Sequence, residues 1–399
     1  MVQLYRIGED QIDSGDIRFQ ELLARAHAAH SRPLCLCRKE VRLPLYVARR
    51  HQGYILARMP ETGATHAPEC DHFEAPLDLT GLGQVRDSAV IDDPDTGEAR
   101  LKLAFPLKRG LARSSSAAMT NDKPSLKHNG RRLTMRGLLH VLWDRAQLTH
   151  WHPRMAGKRN WWIVRRALMN AIEGCIAKND NLMRHVYVPE MYKLDDRENI
   201  LARRHATLSP VRASSDTMMI VIGEVKEISS SQFGEKISLK HLPDWPLFMD
   251  ADMAKRFHKR FAGDEELWQS TGDAGHLILA ASFCLKRSGL AEIIEVALMP
   301  VTAEWLPYES IDEQALVRHA IEHRRHFVKG MRVDLDLGNP IANIMLTDTA
   351  PLATAVYLHG ASPEQATDPA LERLMAVRGV EHTLWAPGRS LPDSARRQP

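Results

Sequence analysis

Cysteine is scarce in this chain: five occur in 399 residues, and three of those fall within the first seventy positions. So few thiols, two of them as close as Cys35 and Cys37, argue against a disulfide framework, because bridging next-but-one residues strains the ring and nothing signals secretion. Long apolar runs are also missing. The longest, 277–285, contains Ser282 and is far too short to span a bilayer, while segment 1–16 is too polar for a signal peptide. No Gly-x-x-x-x-Gly-Lys-Ser/Thr loop and no Gly-rich dinucleotide fingerprint occurs, which leaves nucleotide hydrolysis and Rossmann-type cofactor binding without support. With a net charge of only +3, the chain as a whole does not declare a polyanion partner. A soluble, reducing, cytoplasmic setting without a membrane partner is expected.

What is present begins with those thiols. Cys35-Leu36-Cys37 and His66-Ala67-Pro68-Glu69-Cys70 supply thiolates and an imidazole, the donors that zinc prefers. Between them, Leu45-Tyr46-Val47-Ala48-Arg49 and Tyr54-Ile55-Leu56-Ala57-Arg58 read as strands joined around Gly53, a hairpin that returns the chain to its start. Pro60-Glu61-Thr62-Gly63 then turns the backbone. The fourth ligand is His66 or His72, since Cys70-Asp71-His72 also completes a Cys-x-Cys…Cys-x-His pattern. The competing interpretation makes these cysteines small buried hydrophobes.

Charge is unevenly distributed. Between positions 123 and 170 eleven Lys or Arg face a single acid, Asp144, and four of the eight tryptophans lie there. Clustered cations with planar side chains are the footprint of nucleic-acid contact, so Arg131, Arg132, Arg136, Lys158, Arg159, Trp161, Trp162, Arg165 and Arg166 are candidate contacts. Thr134 is the expected N-cap of a helix with Leu138, Leu139, Leu142 and Trp143 on one face, and a second helix follows with Val164, Leu168 and Ile172 inward. Adjacent helix positions face about 100° apart, so one of Trp161 and Trp162 belongs to a core.

The expected fold is an α+β or α/β multidomain chain. Its parts are an N-terminal helix and zinc module (1–75), a β-hairpin and linker (76–130), a basic helical module resembling part of a winged helix (131–210), an α/β domain (211–390) and a tail (391–399). In the last domain the spacing predicts strands at 219–225, 236–240, 276–283 and 293–300, with an amphipathic helix at 252–269. A helix at 311–323, strands near 341–346 and 353–358, a helix at 363–376 and a strand near 382–385 follow.

Several motifs, Cys35-Leu36-Cys37, His66-x-x-x-Cys70, the helix from Arg136 to Trp143, Gly223-Glu224-Val225-Lys226-Glu227, Trp305-Leu306-Pro307-Tyr308 and Phe327-Val328-Lys329-Gly330, resemble an uncharacterised family over nearly the whole chain. It is domain-of-unknown-function family 1173, carried by proteobacterial integrative conjugative elements and plasmids. The resemblance implies a mobile-element context, with protein partners from the same element, and it favours His66 over His72. The C-terminal order of elements is also similar to the restriction-endonuclease-like fold. By that likeness Glu309 or Glu313 takes the helix position, but Asn343 stands where a metal-binding Asp is expected, and Ala355 and Tyr357 replace the Glu-x-Lys pair. A metal site of hard oxygens is therefore degraded.

Other chemistry is thinly supported. His150 and His152 lack an adjacent third ligand; His319-Ala320-Ile321-Glu322-His323 is crowded by arginines; Asp334, Asp336 and Asp348 read as turn residues; and Cys284 reads as core. The sequence thus points to a non-enzymatic nucleic-acid-binding or assembly protein, the nucleic acid being DNA, with structural zinc. The alternatives are a metal-dependent nuclease using Glu309, Glu313 and Asp348, and a protein–protein adaptor.

Overall fold

The computed structural model describes residues 3–393 except 51–52, 61, 75, 84, 94–95, 109–131, 215, 233, 335–340, 350–351 and 359–380. Arg131, Asp336 and the helix expected at 363–376 therefore lie outside the described residues. The chain is a mixed α/β protein with several sheets. Among the described residues no helix is long and apolar enough to cross a membrane.

The N-terminal sheet has five antiparallel strands in the order Asp10–Asp13, Leu4–Ile7, Leu34–Cys35, Leu43–Arg50 and Gly53–Arg58. Helix α1 (Phe19–Ala28) buries Leu22, Leu23 and Ala26 toward it, the stripe its periodicity announced. Gly53 closes the expected hairpin at φ +126°, and a Cβ there would meet Gln20 Oε1 at 2.6 Å. After the short helix α2 (Leu77–Thr80), Leu101, Leu103, Phe105 and Leu107 alternate along the chain and are all buried.

Helix α3 (Met135–Arg145) starts at Thr134, whose Oγ1 accepts from Gly137 N at 3.0 Å. Thr134 N in turn donates to Asp334 Oδ2 at 2.9 Å, so a residue far along the chain holds this cap. Helix α4 (Trp161–Glu173) is capped by Asn160 and turns Trp161, Val164, Leu168 and Ile172 inward. Between the two, His150–Trp151 forms an edge strand of the C-terminal sheet.

Helices α5 (Arg197–Thr207) and α6 (Ser209–Ala213) lead into a closed barrel of five strands, Met219–Ser231, Gly234–Leu239, Leu242–Asp250, Gly275–Leu285 and Ala291–Thr302. Counting these 1 to 5, the order is 1-2-3-5-4, strand 4 pairs back to strand 1, and only the 3–5 pair is parallel. Strand 1 changes partner midway, pairing residues 219–224 with strand 4 and the remainder with strand 2, with a bulge between Val225 and Glu227. Such a bulge bends a strand so that it can serve both sides of a barrel. Helix α7 (Ala251–Thr271) joins strands 3 and 4 and inserts Met253, Phe257 and Phe261 into the barrel core beside Val221, Ile237, Leu247 and Phe283. Strand 3 escapes the sequence pattern because Pro243 and Pro246 sit in it, and proline ordinarily argues against a paired strand.

The C-terminal sheet runs Glu381–Trp385, Thr354–Leu358, Ile344–Leu346, Phe327–Lys329 and His150–Trp151, antiparallel except for the first pair. Helix α8 (Ile311–Glu322), capped by Ser310, packs Leu316, Val317 and Ala320 against one face. Cys35, Cys70 and Leu45 share a core with Ala342, Met345 and Ala355 from the other. Likewise Leu138, Leu142 and Trp143 of α3 pack with Ile278, Ala297 and Met299 on the outside of the barrel. These cores cross the divisions at 75, 130 and 210 that sequence composition suggests.

Candidate metal centre and its surroundings

Strand pairing positions the first two thiols. Cys35 ends a strand hydrogen-bonded between Tyr5 and Leu43, and Cys37 follows where the chain leaves the sheet. The hairpin returns the chain to a 3-10 turn, Gly63–Thr65, after which His66 and Cys70 face the thiols. Gly63 is required here, because a Cβ would meet Glu74 Cβ at 2.4 Å. One donor atom from each of Cys35, Cys37, His66 and Cys70 lies within 4.8 Å of every other. Cys35 Sγ is 3.6 Å from Cys70 Sγ, and His66 Nδ1 lies 3.5 Å from Cys37 Sγ and 3.6 Å from Cys70 Sγ. This set could hold a metal ion, and among the described residues it is the one group of three or more Cys, His, Asp or Glu side chains so arranged.

The surroundings favour thiolate at one of the three sulfurs, Cys37. Ala67 N donates to Cys37 Sγ at 3.4 Å, His72 N to Cys70 Sγ at 3.3 Å and Gln3 Nε2 to Cys35 Sγ at 3.2 Å. Hydrogen bonding from Cys35, and then from Cys70, drives the Cys37 thiol far below its ordinary range. The Cys35 thiol, engaged with Cys37, is pushed up to about 11, and Cys70 rises in the same way. One sulfur is thus ready as an anion, and a bound cation would expel the remaining protons. His72 stands outside the set: its buried ring lies 5.6 Å from that of His66 and its Nε2 has no partner.

The basic window divides when each side chain is followed. Arg159 donates to the carbonyls of Leu148, Glu304 and His150, and burial lowers its pKa to about 10. Arg136 pairs with Glu309 at 3.0 Å, and Arg165 donates to Val188 O. Trp161 is buried with Nε1 donating to Pro189 O. Arg132, Lys158, Trp162 and Arg166 are exposed, and the Arg166 guanidinium stacks 4.6 Å from the centre of the Trp162 ring.

The carboxylates proposed for metal chemistry are occupied by cations. Glu313 is buried, with Oε1 2.8 Å from Lys329 Nζ and 2.8 Å from the Asn343 amide that donates to it, while Oε2 accepts from Glu309 N. Glu309 holds Arg136 and Arg332, and Asp348 accepts two hydrogen bonds from Arg325. The strand Phe327–Lys329 that carries Lys329, and its pairing with Glu313, were not read from the sequence. The His319 and His323 rings lie 3.9 Å apart at a tilt, and among the described residues no third ligand joins them.

A family model described as a protein of unknown function, DUF1173, matches residues 5–388. The chain belongs to the DUF1173 family. Searches of curated proteins and of solved structures give no match. The likeness read from Cys35, Cys37 and His66-x-x-x-Cys70 is thereby confirmed as DUF1173 membership, which by itself assigns no chemistry.

Asp144 is a second titratable group that composition alone did not mark. It accepts from Thr149 Oγ1 at 3.1 Å, and burial, reinforced by Glu74, raises its pKa to about 6. Between the ordinary carboxyl value and about 6 the folded state keeps a proton that the unfolded chain releases, so stability falls as pH rises through that window. Asp144→Asn should remove this slope. Thermal unfolding is expected to show no gain near pH 4 and a gain of about 3 kcal/mol above pH 6; a constant offset across pH would contradict the assignment.

Proposed function

We propose that the protein is a non-enzymatic nucleic-acid-binding or assembly component of a mobile element, with a structural zinc ion on Cys35, Cys37, His66 and Cys70. A tetrahedral zinc with bonds of about 2.3 Å to sulfur and about 2.0 Å to nitrogen needs ligand–ligand edges of about 3.5–3.8 Å. The sulfur–sulfur and sulfur–nitrogen separations of 3.5–3.6 Å fit that requirement. Four protein donors leave no open position for water, which makes the ion a staple. His66→Ala should release the metal and lower the melting temperature, while His72→Ala should keep one zinc per chain by elemental analysis. Loss of zinc from the His72 variant alone would reverse the assignment.

The barrel carries the nucleic-acid reading. Strand order 1-2-3-5-4, a parallel 3–5 pair and a helix between strands 3 and 4 are the features of the oligonucleotide-binding barrel, which uses its strand 2–3 face and the adjoining loops. Lys236 and Phe248 are directly opposite each other on these strands, both half-exposed. Lys226 and the loop residue Arg287 are exposed. A cation beside an aromatic ring suits a single strand, whose phosphates pair with the cation and whose bases stack. The exposed Trp162–Arg166 stack offers the same chemistry from the basic window. Lys236→Glu with Phe248→Ala should weaken binding of a labelled single strand at least about tenfold and flatten its salt dependence. Unchanged anisotropy titrations would remove the barrel face from the reading, and charge reversal at Arg132, Lys158 and Arg166 then tests the basic window.

A second observation concerns the C-terminal sheet. Its order of a helix, three antiparallel strands and a fourth parallel to the third supports a nuclease-like scaffold, and Glu313 meets Asn343 where such a fold gathers metal ligands. Here an ammonium group, Lys329, neutralises the helix carboxylate instead of a divalent cation. The protein should therefore leave single- and double-stranded DNA intact with magnesium or manganese. Cleavage that disappears in Glu313→Gln would establish the nuclease instead.

A further inference from the structure

A cavity of about 510 Å³ lies between the metal module, the ion-paired segment 85–92 and helices α3 and α4. Its volume falls in the range of small-molecule sites. Five arginines and three carboxyl residues line it. Arg58, Glu74, Arg86, Asp92 and Arg145 form one chain of ion pairs, three guanidiniums sharing two carboxylates. Arg50 has no carboxylate partner among the described residues; its guanidinium donates to the carbonyls of Arg49 and Gly97. The remaining arginine, Arg166, stands at the rim on Trp162.

Burial, and then repulsion by Arg145, lowers the pKa of Arg50, which places two like charges close together in a poorly solvated pocket. Asp144, the third carboxyl, is mostly ionised at neutral pH and offsets one of the five guanidiniums. Lys329 also lines the cavity, but Glu313 engages its ammonium group. The surplus is therefore positive.

The other walls are of a different kind. Leu56, Leu82, Val85, Val141, Ile163 and Ala167 form an apolar surface, while the amides of Gln147 and Asn170 also line the space. His72, more than nine-tenths buried, lines it too, and its Nε2 has no hydrogen-bond partner. A buried polar atom without a partner costs stability unless something else meets it. A pocket with excess guanidinium, apolar side chains and unused hydrogen-bonding capacity suits a ligand with an anionic head and a less polar body.

We propose that this cavity binds a phosphomonoester carried on a nucleoside, with the phosphate received by Arg50 and Arg145 and the nucleoside lying along the apolar wall. Guanidinium is the side chain best matched to phosphate oxygens. The phosphomonoester is supplied either by a free nucleoside monophosphate or by the 5′-terminal nucleotide of a nucleic-acid strand. Only the second source rests on the nucleic-acid reading above.

The test uses the full zinc-loaded chain and calorimetry with adenosine monophosphate, adenosine, inorganic phosphate, and an oligonucleotide with or without a 5′-phosphate. The monophosphate should bind at least about tenfold tighter than adenosine, and Arg50→Gln should weaken it about tenfold. Should Arg50→Gln fail to fold, Asn170→Trp fills the cavity from α4, and it must abolish binding while the melting transition is kept. Stronger binding of the 5′-phosphorylated strand than of its 5′-hydroxyl twin and of the mononucleotide assigns the strand end. Equal binding of both strands, with the mononucleotide bound, assigns the free nucleotide. The proposal is overturned if no phosphate-bearing probe binds, if adenosine binds as well as its monophosphate, or if Asn170→Trp binds like the wild type. Loss of single-strand binding in the barrel variants leaves the mononucleotide result untouched, so the two readings fail separately.

Discussion

Closing the chain between Cys37 and His66 is the constraint on which the N-terminal half depends. The hairpin Leu43–Arg50 with Gly53–Arg58 brings the two halves of the cluster together, but the return segment 59–74 contributes only a short 3-10 turn of regular structure. A segment with so little backbone pairing holds its place through side-chain ties. The cluster makes the first such tie, at Cys70, and four positions later Glu74 makes the second by pairing with Arg58 and Arg86. From Arg86 the ion pairs continue through Asp92 to Arg145 at the end of α3. Misplacing Cys70 would displace Glu74, and a carboxylate taken from two half-buried guanidiniums leaves charge that the low-dielectric surroundings do not screen.

The C-terminal sheet answers a similar electrostatic demand with a different partner. Glu313 is buried at the start of α8 and requires a counter-charge, which Lys329 supplies from the adjacent strand. Removing either member would strand the other in a site with almost no solvent, an outcome more costly than losing both. Asn343 completes the arrangement by donating its amide to Glu313 and accepting from Leu358 N with its oxygen, so one side chain joins helix to sheet. Asparagine can perform both tasks because it carries a donor and an acceptor, whereas an ionised aspartate at this position would repel Glu313.

Much of the local structure was legible because it rests on near-neighbour patterns. The cap at Thr134 and the hairpin at Gly53 follow from spacing alone. The four candidate metal donors were legible as a group because few residue types can serve and they are rare here. What escaped is long-range. Nothing local announces that Trp151 is an edge strand of a sheet formed nearly two hundred residues later, that Asp334 holds the start of α3, or that Lys329 belongs to Glu313. Strand 3 of the barrel was hidden by its prolines, and with it the barrel itself, since a closed ring cannot be inferred with one member missing.

The excess of positive charge at positions 123–170 illustrates how a count differs from a field. A guanidinium contributes to a surface potential only where water and counterions reach it. Arg159 spends its donors on three carbonyls and fastens the loop after α3, Arg136 is neutralised by Glu309, and Arg145 ends the ion-pair chain in the cavity wall. These residues are basic for the fold, and their removal would act first on stability. The charge left exposed in this window is smaller and includes Arg132, Lys158 and Arg166, the last on Trp162, while the barrel separately carries exposed Lys226 and half-exposed Lys236. A ligand meeting such a surface gains little from bulk attraction and more from stacking against Trp162 or Phe248. Stacking needs exposed base faces, which duplex DNA does not present along its length, and this favours a single strand or a strand end over a duplex as the proposed partner.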